Sequence, residues 1–354
     1  MTGVRCMLMR GGTSKGAYFL ASDLPADPAE RDDLLLRIMG TPDPRQIDGI
    51  GGAHPVTSKV AIIARADGPG RDVDYLFLQL GVGDATISDR QTCGNLLAGV
   101  GQFAVERGLV PAGWEDTSVR VLLLNTGSIA VTTFPTPGGR VDYRGTTAVS
   151  GVPGTAAAVE LEFTGTAGSV CDSLLPTGAV SDDIDGIQVS CVDNGMPVVV
   201  ARAADFGITG YEPVDDLAAD TALAARINAV RTEAGKLMGL GDVTALSVPK
   251  TTLVAAPRDG GAICTRTFIP VRPHPSIGVL GGVSVVTALL LEGAAGSELF
   301  VAPPDGGPVE IEHASGSLAV GIDLDTTVSP PRVTRSSVFR TARKLFDGTV
   351  FPRP

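Results

Sequence analysis

Short apolar runs, many of them rich in valine and threonine, recur along the chain and alternate with glycine- and proline-containing segments. Such runs are typical of β-strands, and the glycines and prolines between them are typical of tight turns. This pattern predicts strands at residues 4–9, 60–64, 73–80, 85–88, 119–124, 129–134, 187–192, 198–201, 252–255, 263–269, 318–324 and 337–350.

Helical patterns interrupt these strands. Asp27 and Pro28 open a helix that carries its apolar residues on one face and stops at Gly40. Residues 214–238 are rich in Ala, Asp and Arg and predict one or two surface helices. Residues 41–58 form a long irregular loop, and loops of that length in a compact lobe are often functional.

Two further helices, at about 94–107 and 276–292, are glycine-rich and apolar nearly all round, which predicts that both are buried. Each lies among the strands of one half of the chain. Two duplicated lobes explain this arrangement, and so does an ordinary α/β protein that contains two buried helices. The length of 354 residues favours two lobes of similar size.

The net charge of -11 and the absence of a basic cluster argue against nucleic acid as a partner, and any anion site must be locally positive. The start of the chain lacks the apolar region of a signal peptide. The longest uncharged apolar stretch, 276–291, is shorter than a membrane span.

Five cysteines without a CxxC motif indicate reduced thiols in the cytoplasm. His54, His274 and His313 stand alone, which predicts no metal site.

A glycine-rich loop at residues 10–16 is the first candidate site. Gly11 and Gly12 would let backbone N–H groups converge, while Thr13, Ser14 and Lys15 add donors. Such a concavity suits a carboxylate, although an ordinary solvated turn has the same composition.

Lys59 and Cys93 are the candidate proton-transfer groups. Lys59 stands where a polar loop meets an apolar run, so partial desolvation would favour its neutral amine; a lysine reaching water from a strand edge is the alternative. The loop before it does not match the G-x-x-x-x-G-K-[ST] phosphate motif. Cys93 precedes a buried helix whose N-terminus stabilises anions, but most free cysteines simply pack. Asn194 could present its amide to a carboxylate or merely form a turn.

The segments MRGGTSKG, RQIDGIGG, TSKVAII, CGNLLAGVG, IDGI and VDNGMP resemble the 4-oxalomesaconate tautomerase family, whose wider relatives include 2-methylaconitate cis-trans isomerase. The resemblance implies an α+β, diaminopimelate-epimerase-like fold with two similar lobes, each a rolled, mostly antiparallel sheet around a central helix. It predicts a first lobe at 1–184, with its helix at 94–107 and C-terminal strands at 335–354, and a second lobe at 185–334 with its helix at 276–292.

The resemblance also implies site residues. Lys59 and Cys93 are the expected catalytic pair, with no metal and no cofactor. Arg10, Lys15 and Arg266 are candidates for additional positive charge. In the region directly before the second helix His274 is the only histidine, a departure from the family pattern that puts an acid/base role for that region in doubt. The expected substrate-binding residues are Gly11, Gly12, Thr13, Ser14, Lys15, Ser58, Gly94, Asn95, Asn194, Gly281 and Gly282.

The implied reaction is cofactor-independent proton transfer on an unsaturated keto-polycarboxylate in the breakdown of aromatic acids such as gallate and protocatechuate. Keto–enol tautomerisation and allylic isomerisation both fit. A 2-methylaconitate-type isomerase and a non-catalytic carboxylate-binding protein remain alternatives. Amino-acid epimerisation by two thiols is disfavoured, because the start of the second helix, GVLGGVS, has no cysteine. The expected partner is a small polycarboxylate, and a homodimer is left open.

Overall fold

The structure is a computed structural model that describes residues 2–90, 92–304 and 306–354. Contacts divide the chain into two compact units, one ending at Glu162 and joined by Arg340–Pro354, the other comprising Phe163–Phe339. The expected boundary at 184/185 lay too late, because the segment after Phe163 bonds to a strand of the second unit. Gly168 N–H donates to Asp193 O, for example, at 2.8 Å.

The first unit contains two helices and most of the early strands. Its helices are α1 (Pro28–Met39) and α2 (Gly94–Glu106). Its strands are β1 (Val4–Gly11), β2 (Ser14–Leu20), β3 (Lys59–Arg65), β4 (Val73–Leu80), β5 (Ile87–Ser88), β6 (Asp116–Leu123), β7 (Ser128–Pro135), β8 (Thr147–Ala148), β9 (Thr155–Ala156) and β10 (Ala158–Phe163), whose last residue falls in the second unit.

The second unit contains the remaining elements. Its helices are α3 (Val214–Ala219), α4 (Thr221–Leu237) and α5 (Val279–Leu289). Its strands are β11 (Asp182–Ile184), β12 (Ile187–Asp193), β13 (Pro197–Arg202), β14 (Lys250–Ala255), β15 (Ile263–Ile269), β16 (Arg272–Pro273), β17 (Val309–His313) and β18 (Gly316–Asp325). The last strand, β19 (Arg332–Val350), begins in this unit and ends in the first.

The two units share one order of strand pairing. In the first, β1–β2 is antiparallel, β2–β3 parallel, β3–β4 antiparallel, β4–β6 parallel and β6–β7 antiparallel. In the second, β12–β13, β13–β14, β14–β15, β15–β17 and β17–β18 repeat that alternation. The buried helix follows the fourth strand in both series. This shared order supports the duplication that the sequence left open.

The helices start and stop for local reasons. Asp27 caps α1 by accepting from the N–H groups of Ala29 and Glu30, and Gly40 ends it in the left-handed conformation. The region 214–238, expected to form one or two surface helices, forms the two helices α3 and α4. The central helices are shorter than expected: α2 ends at Glu106, and α5 starts at Val279, after Gly278, and stops at Leu289.

The first sheet is covered on both faces. On one face lies α2, and Tyr18 of β2 donates its hydroxyl to Leu96 O at 2.5 Å. On the other face, α1 packs against the alternate residues of the same strands; this cluster includes Ala17, Phe19, Val60, Ile62, Leu35, Ile38 and Met39. Odd and even positions of β2 therefore face different layers.

Residues 10–16 were expected to form a loop, but the structure has a tight hairpin there. β1 runs to Gly11 and β2 starts at Ser14, which leaves only Gly12 and Thr13 between them. Gly12 has φ +49°, a conformation that glycine adopts without strain and other residues disfavour. Among the described residues, no helix combines the length and the apolar character needed to cross a membrane.

Candidate functional site

The start of α2 lacks a side-chain cap. Cys93 occupies the N-cap position with φ −127° and ψ 102°, yet its side chain accepts no hydrogen bond from the helix, and the first turn contains no acidic residue. The N–H groups of that turn therefore carry partial positive charge without a side-chain acceptor. A Cβ built on Gly94 would meet nothing within 4 Å, so space adjoins the helix start. These features suit an anion.

The β1–β2 hairpin touches this helix start because it carries glycines. A Cβ on Gly11 would lie 2.2 Å from Asn95 O, and one on Gly12 would lie 2.2 Å from Asn95 Oδ1. The N–H of Gly12 donates to Thr341 O at 2.8 Å. The expectation that Gly12 turns its N–H toward a carboxylate is therefore wrong; what the two glycines provide is the close approach of hairpin and helix.

Asn95 connects the hairpin to the helix through its side chain. Its Nδ2 donates to Thr13 Oγ1 at 3.0 Å and to Ser14 Oγ at 3.3 Å. Both hydroxyls accept from Asn95, so each keeps its own proton to donate to a ligand. The structure thus brings Thr13, Ser14, Gly94 and Asn95 together beside Cys93.

Lys59 is the first residue of β3 and is 9% exposed. Its Nζ donates to Gln79 Oε1 at 2.6 Å and lies 4.9 Å from the ring centroid of Phe77. Gln79 in turn donates its amide to the carbonyls of Pro55 (3.1 Å), Ser58 (3.1 Å) and Leu80 (3.2 Å). Because those three partners can only accept, Oε1 must be the atom that faces Lys59.

One face of β4 contacts both candidate catalytic residues. Tyr75, Phe77 and Gln79 alternate along the strand and so share a face. Gln79 and Phe77 contact Lys59, and the Tyr75 hydroxyl lies 3.4 Å from Cys93 O. Burial, and then the charge of a Cys93 thiolate, raise the pKa of Tyr75 well above its ordinary value, so the phenol stays protonated.

Three further expected residues of this unit, Ser58, Lys15 and Arg10, differ in where their side chains lie. Ser58 is fully buried, and its Oγ donates to Gln46 Oε1 at 2.8 Å. Lys15 alternates with Ser14 and shares the α1-side face of the sheet, where Arg10 is its cross-strand partner. Ser58 is therefore turned away from the α2 start, whereas Arg10 and Lys15 line one cavity with Thr13 and Ser14, so the part of these two cations in substrate binding stays a prediction.

In the second unit, α5 starts in the same manner as α2 but without a thiol. Gly278 is its N-cap and provides no side-chain cap, and its first turn contains no acidic residue. A Cβ on Gly282 would lie 2.9 Å from Leu318 Cδ2, so this glycine allows close packing. A Cβ on Gly281 would have Ile277 as its nearest contact at 3.9 Å, which leaves room beside the helix.

The side chain of Asn194 is buried and forms hydrogen bonds to several neighbouring segments of the second unit. Its Nδ2 donates to Thr287 Oγ1 at 2.9 Å and to Ser336 Oγ at 3.0 Å, while its Oδ1 accepts from Thr166 Oγ1 at 2.6 Å. Its main-chain N–H donates to Ser284 Oγ at 3.0 Å. The side chain is fully buried and engaged on both its polar atoms. The expectation that this amide is presented to a substrate is therefore not supported by the structure.

Arg266 and His274 are also engaged within the second unit. Arg266 donates to Glu212 O at 3.0 Å and to Thr265 O at 2.9 Å and is 8% exposed. His274 accepts from Ser276 N–H at 3.0 Å through Nδ1. Arg266 therefore supports the sheet, and the geometry gives His274 a turn-stabilising contact.

Lys250 is a residue that the sequence reasoning missed. It opens β14 as Lys59 opens β3, and these two strands occupy equivalent places in the two pairing orders. Its Nζ would lie 3.5 Å from a Cβ on Gly278, beside the α5 start. Burial lowers the pKa of Lys250 from its ordinary value. The shared pattern of a lysine directly before an apolar strand, in TSKVAII and VPKTTLVA, was the available signal.

Among the residues that the structure describes, no group of three or more His, Cys, Asp and Glu side chains is placed to hold a metal ion. Gln91, next to the Cys93 segment, lies outside the described residues. The absence of a metal or organic cofactor from the reaction stays a prediction from the sequence.

Two similar units, each with a glycine-opened helix inside a rolled sheet, define the diaminopimelate-epimerase-like class of α+β proteins. The PrpF protein family model matches residues 1–353, so the chain belongs to the PrpF family.

Named relatives agree with this assignment. The chain is 54% identical over 352 residues to the (4E)-oxalomesaconate Delta-isomerase of Novosphingobium, covering 99% of this chain and 98% of that one. It is 52% identical over 352 residues to the 4-oxalomesaconate tautomerase of Pseudomonas putida, covering 99% and 96%. The crystal structure of a methylitaconate-delta-isomerase matches with a TM-score of 0.89 and 31% identity, covering 99% and 95%. The chain is therefore an isomerase, which removes the non-catalytic alternative.

Proposed function

We propose that this isomerase acts on 4-oxalomesaconate or a closely similar unsaturated keto-tricarboxylate by moving one proton. The names of the two relatives above 50% identity support this substrate class. The observation that carries the chemistry is the arrangement at β4, where one strand face contacts both the amine of Lys59 and the main chain of Cys93, the residue that starts α2.

The reaction requires one base and one acid. A base removes a proton from the carbon next to the unsaturated carbonyl system, and the electron pair of the broken C–H bond delocalises as a dienolate. Returning a proton to oxygen gives the enol, and returning it to another carbon shifts the double bond. No atom is gained or lost, and no oxidant or reductant is consumed. Tautomerisation and allylic isomerisation therefore share their first step.

Lys59 is the proposed base. Its amine is largely shielded from solvent and held in one direction by Gln79, which orients its lone pair or remaining protons. After it takes the proton, the ammonium stabilises the neighbouring dienolate, and the face of Phe77 stabilises that cation. Cys93 is the proposed acid that returns the proton, because its partly exposed thiol stands at a helix start.

The substrate carboxylates require donors rather than acid–base groups. In the first unit, the uncapped N–H groups of α2 and the hydroxyls of Thr13 and Ser14 fit one carboxylate. In the second unit, the uncapped start of α5 and the nearby Nζ of Lys250 form a comparable group of donors.

Proton exchange with deuterated water tests the proposal. We would incubate the enzyme with 4-oxalomesaconate, with aconitate-type acids and with proline, and follow each by NMR, using Lys59→Met as the matched control. We expect deuterium to enter 4-oxalomesaconate only with the wild-type enzyme, and the labelled position to distinguish enol formation from a double-bond shift. Exchange confined to aconitate-type acids would instead assign a 2-methylaconitate-type isomerase, and exchange in proline would assign an epimerase.

The proposed mechanism needs no metal. We expect exhaustive dialysis against a chelator to leave the isomerisation rate unchanged. Loss of the rate after chelation, with recovery on adding one divalent ion, would contradict the mechanism.

A further inference from the structure

Arg231 is a fully buried arginine of α4. Its Nη1 donates to the main-chain oxygens of Val243 (3.1 Å), Leu246 (3.3 Å) and Val248 (3.2 Å), and its Nη2 donates to Asn228 Oδ1 at 3.1 Å. None of these four acceptors belongs to an acidic residue. The buried guanidinium is therefore bonded mainly to main chain instead of being paired with a carboxylate.

This arrangement is unfavourable for the stability of the folded protein. Removing a guanidinium from water is costly unless a carboxylate accompanies it, and burial lowers the pKa of Arg231 from its ordinary value. The Nε of the same side chain is buried and has no hydrogen-bond partner among the described residues. A long apolar side chain would fill this space without these penalties, so packing alone does not account for an arginine here.

The main chain that Arg231 binds is irregular. Residues 238–249, all within the described part of the chain, form no helix or strand, so no ladder holds their carbonyls. Val243 packs directly on α4 because Gly235, one turn after Arg231, carries no side chain: a Cβ there would lie 2.7 Å from Val243 Cγ2. Arg231 and Gly235 together fix residues 243–249 to α4, and we call these residues the 243–249 segment.

The 243–249 segment leads directly into Lys250, the first residue of β14. Lys250 Nζ lies beside the α5 start, where it would be 3.5 Å from a Cβ on Gly278. Lys59, its counterpart in the first unit, is directed by the side chain of Gln79. Burial alone shifts the pKa of Lys250, so no described acidic group directs this amine. Its position depends on the main chain that carries it.

We propose that Arg231 is a positioning residue that acts through Lys250: it anchors the 243–249 segment and thereby holds the Lys250 amine beside the start of α5. Val248, whose carbonyl Arg231 binds, is only two residues before Lys250, so a shift of this carbonyl moves the amine as well. The inference rests on the proposed function, in which Lys250 belongs to a group of donors at the start of α5.

A double-mutant cycle on the full-length enzyme tests the proposal. We would measure kcat/KM and Tm for wild type, Arg231→Met, Lys250→Met and the double variant. The matched control is Arg226→Met, which removes an exposed arginine of the same helix that donates to Asp205 O. We expect Arg231→Met to lower kcat/KM by about 10- to 100-fold in the wild-type background and by less than about twofold in the Lys250→Met background. Arg226→Met should leave kcat/KM unchanged.

Two further variants keep the test decisive if Arg231→Met does not fold. Gly235→Ala retains Arg231 but adds a methyl group that displaces Val243 from α4, so its loss of kcat/KM should depend on Lys250 in the same way. Arg231→Lys keeps the charge but has one amine for three carbonyls, and its kcat/KM should fall between those of wild type and Gly235→Ala.

The outcomes separate this inference from the proposed function. A lower Tm with unchanged kcat/KM in Arg231→Met, an equal loss of kcat/KM in both backgrounds, or a Lys250→Met enzyme with the wild-type kcat/KM would each overturn the inference. Absence of deuterium exchange into 4-oxalomesaconate by wild type would instead overturn the proposed function, and the cycle would then be run on the acid that does exchange.

Discussion

Lys59 and Gln79 form a hydrogen-bonded pair in which the glutamine is held more firmly than the lysine. Gln79 Oε1 accepts from Lys59 Nζ at 2.6 Å, while the amide of Gln79 donates to three main-chain carbonyls. Gln79 is thus a positioning residue that acts through Lys59. We expect Gln79→Leu to lower kcat by about 10- to 100-fold with a smaller change in KM, because it leaves the amine undirected.

The pH profile separates positioning from a structural role of Gln79. Gln79→Glu would place a carboxylate next to Lys59 and favour the ammonium, so the pH at which activity appears should move upward. Circular dichroism controls for folding. A Gln79→Leu enzyme with the wild-type kcat and pH profile would remove Gln79 from the mechanism.

The relative contributions of Lys59 and Cys93 to catalysis can be measured directly. Lys59→Met deletes both the base and the cation that stabilises the dienolate, so we expect kcat to fall by at least about 10²–10⁴-fold. Cys93→Ser leaves the N–H groups of α2 in place and should retain measurable turnover. Steady-state rates of both folded variants on one substrate decide the matter. If Cys93→Ser were the inactive variant, the thiol would be the principal base.

Ser14 and Asn194 should behave differently when truncated, although the sequence assigned both to substrate binding. Ser14→Ala removes a hydroxyl whose proton is available to a ligand, so KM should rise about tenfold with little loss of kcat. Asn194→Ala removes three side-chain hydrogen bonds, to Thr166, Thr287 and Ser336, and should lower the free energy of unfolding by about 2–4 kcal/mol. Denaturant unfolding and saturation kinetics distinguish the two. A stable Asn194→Ala enzyme with a raised KM would restore the sequence interpretation.

We predict that Lys250 contributes to activity, although burying its ammonium destabilises the folded protein. Burial lowers its pKa in the folded protein below the ordinary value of 10.5, so the folded state binds this proton less well than the unfolded state. The penalty is full below the folded pKa and disappears as pH rises toward 10.5. We therefore expect Lys250→Met to raise Tm at pH 7 and to lower kcat/KM, with the Tm difference shrinking as pH rises toward 10.5. A lower Tm together with unchanged kcat/KM would contradict this.

Thiol labelling offers a test that needs no substitution. Burial raises the pKa of Cys6 and of Cys191 to about 12, and that of Cys171 to about 11, so these thiols should react slowly at pH 8. Cys93 is partly exposed at a helix start and should be alkylated first by iodoacetamide. Mass spectrometry of the digested protein, with and without a tricarboxylate, measures the order and the protection. Early labelling of Cys6 would show that the first sheet opens more readily than its packing indicates.

Much of the architecture followed from periodicity because burial imposes it. The two uncharged helices were recognisable since their apolar residues surround the axis, and the Asp27–Pro28 start of α1 was recognisable by its capping chemistry. The sequence predicts a loop at residues 10–16 because glycine-rich segments have the same composition in irregular loops and in tight turns. Only the contact of Gly11 and Gly12 with Asn95 distinguishes the tight hairpin from a loop.

The site was harder to read, because a side chain's partners come from distant strands. Asn194 and Ser14 are both polar residues at turns. Asn194 is enclosed by the four residues that bond to it, whereas Ser14 borders the open space at the α2 start. The sequence pattern does not single out Lys250, because the predicted strand begins two residues later, at Thr252.

The contact of Gly11 and Gly12 with Asn95 limits how the substrate range of this enzyme could be changed by directed evolution. A side chain at Gly11 would meet the main chain of Asn95 and push the hairpin off the helix, whereas one at Gly12 would strain its positive φ and displace the Asn95 side chain that bonds to Thr13 and Ser14. Mutant libraries should therefore leave both glycines untouched and vary Thr13, whose side chain borders the helix start without filling a backbone gap. An inhibitor scaffold designed against the α2 start can likewise treat the β1–β2 hairpin beside it as rigid.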